Sequence, residues 1–217
     1  MVEGRRQHDA YEGEVLDTVY SVANLVTLLR LLLVPFFFSV LVAGQGDRAR
    51  LAAFAIYAIA GSTDWVDGQI ARRTHTVTRI GQIIDPLVDR LLLASGVVGL
   101  YVVGDLPLWI PLLLVGRDVY LLYGSWRLER HRLILPVSFI GKTTTATLLL
   151  GFSSLIAAWP QVAGLGVLES TWLPGLGSGP VALGIWFVYL GILLSLVTAV
   201  RYTADAARAV KGADAEG

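Results

Sequence analysis

The 217 residues include 17 basic and 17 acidic side chains, a charged fraction of only 16% beside 55% hydrophobic residues and a mean hydropathy of +0.65. Soluble domains carry roughly a quarter charged residues, so this composition describes a membrane protein, and a formal net charge of zero gives no support for nucleic-acid binding. With no cysteine, the chain has neither a disulfide framework nor a thiolate metal site.

Residues 1–21 mix acidic and basic side chains and do not have the form of a signal peptide; Tyr11, Val15, Leu16 and Val19 favour one side of an interfacial helix. A membrane-spanning helix needs about 20 largely apolar residues, and six segments qualify. They run from Val22 to Gly44, Leu51 to Ala71, Asp85 to Val103, Leu106 to Trp126, Thr143 to Trp159 and Val181 to Val200. The expected fold is all-α: one six-helix membrane domain over 22–203 between a cytoplasmic or interfacial segment (1–21) and a cytoplasmic tail (204–217). Strand alternation of the kind a membrane barrel requires is absent. Trp109, Trp126, Trp159, Trp172 and Trp186 sit near span ends as interfacial anchors, and the Gly- and Pro-rich stretch from Gly164 to Pro180 is an external connector.

Basic residues accumulate on the cytoplasmic side of membrane proteins. Arg5, Arg6, Arg72, Arg73, Arg79, Arg127, Arg130, Arg132, Lys142, Arg201, Arg208 and Lys211 all fall on one side of the six spans, against Arg48 and Arg50 on the other. Both termini are therefore expected in the cytoplasm.

The most informative stretch is Asp64-x-x-Asp67-Gly68-x-x-Ala71-Arg72, eight further residues, then Gly81-x-x-x-Asp85-x-x-x-Asp89. An ionised Asp in the middle of a membrane helix costs about 2.5 to 3.5 kcal/mol, so four represent on the order of 10 kcal/mol that something must offset. Bound metal is the obvious offset. Asp64 and Asp67 share a face near the cytoplasmic end of the second span, and Asp85 and Asp89 lie one turn apart at the start of the third. Two antiparallel neighbours then bring their acidic faces to one depth, an oxygen-only cage of the kind Mg²⁺ or Mn²⁺ takes. Asp85-Pro86 reads as a helix cap followed by the first helical residue. Gly68, Ala71 and Gly81 leave room for a phosphate ligand beside the carboxylates, although small residues also let membrane helices pack closely. Arg72 has an alternative place at the interface.

This string resembles the signature of the CDP-alcohol phosphotransferase family, matching all eight fixed positions, and Gly116-Arg-Asp-Val and Leu135-Pro-Val-Ser-Phe-Ile-Gly-Lys142 are similar to its phosphatidylglycerophosphate synthase and cardiolipin synthase branch. Asn24-Leu-Val-Thr27-Leu-Leu-Arg30, Arg117-Asp118 and Gly141-Lys142 are similar to further features of that family. The resemblance implies a homodimeric, multi-pass enzyme of the cytoplasmic membrane, with its active site open to the cytoplasm. Such an enzyme cleaves CDP-diacylglycerol, passes the phosphatidyl group to an alcohol and releases CMP. It further implies that Asp64, Asp67 and Asp85 hold two divalent ions, Mg²⁺ or Mn²⁺. Asp89 would be the general base with a possible place beside the metal, and Gly68, Ala71, Arg72 and Gly81 would contact the CDP portion.

Arg117 within the fourth span and Lys142 at the mouth of the fifth are candidates to hold an acceptor phosphate, which points to glycerol 3-phosphate or phosphatidylglycerol. Asp118 beside Arg117 and the interface near Lys142 offer simpler places for the two cations. Asp118 stands where glycerophosphate synthases commonly carry Glu, a departure toward cardiolipin synthesis; an inositol phosphate acceptor is more distant. Intramembrane carboxylates also serve ion or proton transport, but a transporter needs them near the midplane and at several depths.

Overall fold

The computed structural model describes the backbone of residues 22–74, 79–130 and 139–215, and the side chains of 28–63, 88–128 and 140–208. Within these limits each of the six apolar segments is a helix: α1 (Val22–Ala43), α2 (Gly46–Thr74), α3 (Arg79–Val102), α4 (Trp109–Arg130), α5 (Phe139–Ala157) and α6 (Gly184–Ala215). Helix α3 starts at Arg79, six residues before Asp85, so Asp85-Pro86 lies inside the helix and does not cap it. A proline removes a single intrahelical hydrogen bond, which membrane helices tolerate where neighbours re-satisfy the freed group. Among the described residues, only α6 is long and apolar enough by itself to cross a membrane, over Gly184–Arg208; Leu28–Ala43 forms a shorter apolar helix. Charged residues at both ends of α2 and within α3 and α4 dilute the apolar run in those helices.

Local chemistry sets the helix ends on one side of the bundle. Gly46 adopts φ 77° between α1 and α2, and Asp47 places a carboxylate in the first turn of α2, where the helix dipole favours it. Gly104, at φ 87°, closes α3: the Gly104 amide bonds the Tyr101 carbonyl at 3.0 Å and the Asp105 amide the Leu100 carbonyl at 2.9 Å. Between α5 and α6 the Gly- and Pro-rich connector forms a small antiparallel pair, β1 (Gln161–Ala163) with β2 (Pro180–Ala182), pairing Val162 with Val181. Sequence patterning gives no sign of strands this short. Beyond it the Trp109 indole donates to the Trp172 carbonyl at 2.7 Å, and the side-chain hydroxyl and amide of Ser178 both donate to Glu169, holding its carboxyl below the usual carboxylate range.

Packing follows close backbone approach. Helix α5 lies along α6, and a Cβ added at Gly184 would collide with the Gly151 carbonyl oxygen, so this crossing depends on two glycines meeting face to face. Ser154 Oγ accepts the Gly184 amide at 2.9 Å and donates to the Trp159 carbonyl at 2.9 Å, fixing the same corner. Helix α1 packs on both α2 and α3, which also touch each other. The Phe37 and Tyr57 rings meet at 4.9 Å in the core, with Leu92, Val97, Leu100, Phe152, Ile156 and Val188 buried around them. Leu32, Leu51, Leu112, Leu150 and Val200 are more than 60% exposed on the helix exteriors. Such an apolar outer surface suits lipid rather than water.

Arg50, one of the two basic residues on the sparsely charged side, is not an unexplained exception to the charge asymmetry. Its guanidinium lies 2.8 Å from Asp105 Oδ2 and 3.4 Å from the Leu155 carbonyl, tying α2 to the α3–α4 turn and to α5. The Gly184→Ala variant is expected to lose about 1 to 3 kcal/mol because the added methyl meets backbone. Gly116→Ala, where a Cβ would find nothing within 4 Å, should lose none. Thermal unfolding in detergent compares the two, and equal midpoints would remove the close-contact explanation.

Candidate active site

Asp64, Asp67, Gly68, Ala71 and Arg72 fall on α2, and Gly81, Asp85 and Asp89 on α3. The side chains of all of these except Asp89 lie outside the described residues. Among the described residues no three metal-ligating side chains come together. What is described is the packing that leads up to the acidic stretch. A Cβ on Gly96 would come within 2.7 Å of the Tyr57 hydroxyl, and one on Gly61 within 3.9 Å of Leu92 Cδ2. Moving forward along α2 thus means moving backward along α3: the two helices are antiparallel, and their facing residues pair 57 with 96 and 61 with 92.

Asp89 is partly exposed, and its Oδ1 lies 2.6 Å from an Arg30 guanidinium nitrogen. Arg30 itself is 1% exposed, and its Nε donates to the Ala60 carbonyl at 3.1 Å. One guanidinium on α1 therefore touches α2 and α3 at once. The sequence singles out Arg30 only as part of a family-like stretch. A charge in the middle of an otherwise apolar helix was the available sign that it needed a partner.

Between α3, α4, α5 and α6 lies a cavity of about 90 Å³ lined among others by Arg90, Arg117, Asp118, Thr144 and Ser195. Arg117 pairs with its neighbour Asp118 at 2.7 Å, as its simpler reading anticipated, yet the pair does not close the account. Arg90 donates to the Asp118 carbonyl at 3.1 Å and lies 3.8 Å from the same carboxylate, so two guanidiniums share one acid. Arg117 Nε and Ser195 Oγ are buried without a hydrogen-bond partner among the described residues. In an apolar surrounding an unmatched cation and two unmatched polar atoms favour an oxygen-rich anion. Arg90 and Ser195 went unnoticed in the sequence, Arg90 because it follows the motif directly and Ser195 because a lone serine in an apolar helix carries no signal. Lys142 is exposed and does not line the cavity, whereas Thr144 and Thr145 just beyond it do.

Residues 20–174 match the family model described as CDP-alcohol phosphatidyltransferase. A probable phosphatidylglycerophosphate synthase of Mycobacterium tuberculosis is 35% identical over 197 residues, covering 89% of this chain and 85% of that protein. A CMP-forming cardiolipin synthase of Streptomyces coelicolor is 34% identical over 143 residues, 64% of this chain and 66% of its own. The CDP-diacylglycerol–glycerol-3-phosphate 3-phosphatidyltransferase of Bacillus subtilis is 29% identical over 149 residues, 64% and 77% of the two chains. Proteins of this family are membrane-bound and in general use divalent metal ions. The chain belongs to the CDP-alcohol phosphatidyltransferase family.

Proposed function

We propose that this enzyme transfers a phosphatidyl group from CDP-diacylglycerol to the hydroxyl of a glycerol that carries a phosphate, either free glycerol 3-phosphate or phosphatidylglycerol, and releases CMP. The observation that carries the acceptor class is the cavity between α3, α4, α5 and α6, in which Arg90 and Arg117 outnumber Asp118 and two buried polar atoms have no partner among the described residues. All six helices cross the membrane in this reading, with both termini and the site on the cytoplasmic side, and the enzyme works as a homodimer.

The antiparallel register supports the acidic site. Continued past the 61–92 pair, it carries position 64 level with 89 after one turn, and position 68, next to 67, level with 85 after two. Asp64, Asp67 and Asp85 supply only oxygen donors, the chemistry that two Mg²⁺ or Mn²⁺ ions require, and in this reading they hold both ions. When bound, such ions neutralise charge on a pyrophosphate and on its departing half. Asp89 is the general base and not a metal ligand, because a second cation at Oδ1 would face the Arg30 guanidinium. The acceptor hydroxyl gives its proton to Asp89 as its oxygen attacks the lipid-bearing phosphorus in line, and the bond to CMP breaks. Gly68, Ala71, Arg72 and Gly81 grip the cytidine diphosphate portion. Arg117, helped by Arg90, holds the acceptor phosphate, and Lys142 extends its ammonium to the membrane interface.

Replacing Asp89 by Asn should lower turnover by about 10² to 10⁴-fold while CDP-diacylglycerol still binds. Undiminished turnover would remove Asp89 from the base role. Arg117→Gln should raise the acceptor KM by roughly 10- to 100-fold, the worth of a charge-assisted hydrogen bond, and leave the donor KM in place. A change confined to the donor would move the anion site elsewhere. The acceptor itself is decided by offering glycerol 3-phosphate, phosphatidylglycerol and inositol phosphate against one donor, reading CMP release and the mass of the lipid product. CMP release with inositol phosphate alone, or with none of the three, would overturn the proposed class.

A further inference from the structure

We propose that Arg30 is a positioning residue for the reaction, fixing the Asp89 carboxylate relative to the acidic face of α2. The proposal rests on the reading of Asp89 as general base. Arg30 is almost completely buried, at 1% exposure, and its planar head engages two helices through different atoms: Nε with the Ala60 carbonyl of α2, and a terminal nitrogen with Asp89 of α3. Three features make this more than a stray ion pair.

Ala60 lies one turn before Asp64, and in a regular helix its carbonyl accepts the amide of residue 64. Arg30 therefore holds the backbone on which the first metal-binding carboxylate of the proposed site is hung. Helix α1 also packs on both α2 and α3, so this contact sits where the three helices meet. Farther along α1 the Phe37 ring lies against Tyr57 of α2, and a Cβ on Gly99 of α3 would come within 2.8 Å of Leu41 Cδ2, so the helix that carries Arg30 is held against both partners. The rigid fork of an arginine can satisfy two acceptors set at an angle, whereas a lysine ammonium on a flexible stem presents a single point charge.

Misplacing a reacting group by about 1 Å costs as much as 10²-fold in rate, so Arg30→Gln should lower kcat by about 10- to 100-fold. The KM for donor and for acceptor should not change, since the described contacts of Arg30 are the Ala60 carbonyl and Asp89. Arg30→Lys should recover part of the loss.

The decisive comparison is a double-variant cycle on residual turnover. If Arg30 acts through Asp89, adding Arg30→Gln to Asp89→Asn lowers turnover no further than Asp89→Asn alone. If Arg30 merely supports the fold, the losses multiply and the thermal midpoint falls in parallel, which would overturn the proposal. Should Arg30→Gln not survive extraction, the cycle is run with Arg30→Lys, and multiplied losses there have the same meaning. Turnover undiminished in Asp89→Asn would instead overturn the base assignment, whatever Arg30 does.

Discussion

Charge can be kept among apolar helices only where another charge or a dipole meets it, and that constraint organises this protein. Burial of an unpaired guanidinium or carboxylate is costly enough that each must find a partner across a helix boundary. Arg30 meets Asp89 and the Ala60 carbonyl, Arg50 meets Asp105 and the Leu155 carbonyl, and Arg90 and Arg117 share Asp118. Each of these groups joins helices or the turns between them. The pairings therefore fix which helices neighbour one another, and the apolar packing around Phe37, Tyr57 and Phe152 fills in between.

The same constraint separates the two ends of the bundle. At the end where α2 begins Arg50 and Asp105 pair, and the glycine contact of α5 with α6 pulls that corner tight. Toward the acidic stretch, partners stop matching one for one: two guanidiniums face one carboxylate, and the Ser195 hydroxyl has no partner among the described residues. Imbalance of this kind is expected where a ligand completes the set.

Much of this was legible in the sequence, for reasons that differ from element to element. Six long apolar runs leave little choice of architecture, and each of them is helical within the described residues. Carboxylates at spacings of three and four inside such runs name the acidic stretch before any coordinates do. The start of α3 was misplaced because Pro86 imitates a helix beginning while the preceding Ile80, Ile83 and Ile84 continue the helix. The roles of Arg30 and Arg90 were hidden for another reason. Their partners lie 59 and 28 residues away, and no local pattern encodes such a separation. The β1–β2 hairpin depends on a turn between helix ends rather than on strand-forming runs, so three-residue strands left no periodic trace.

The account stands on Asp64 and Asp67 of α2 and Asp85 of α3 lying close enough to share two ions. The direct measurement is a titration of the purified enzyme with Mn²⁺ followed by electron paramagnetic resonance. Two ions bound per chain, close enough to couple magnetically, with both binding and coupling lost in Asp64→Asn and Asp85→Asn, is the predicted result. Binding that survives both substitutions, or ions that bind without sensing each other, would contradict it.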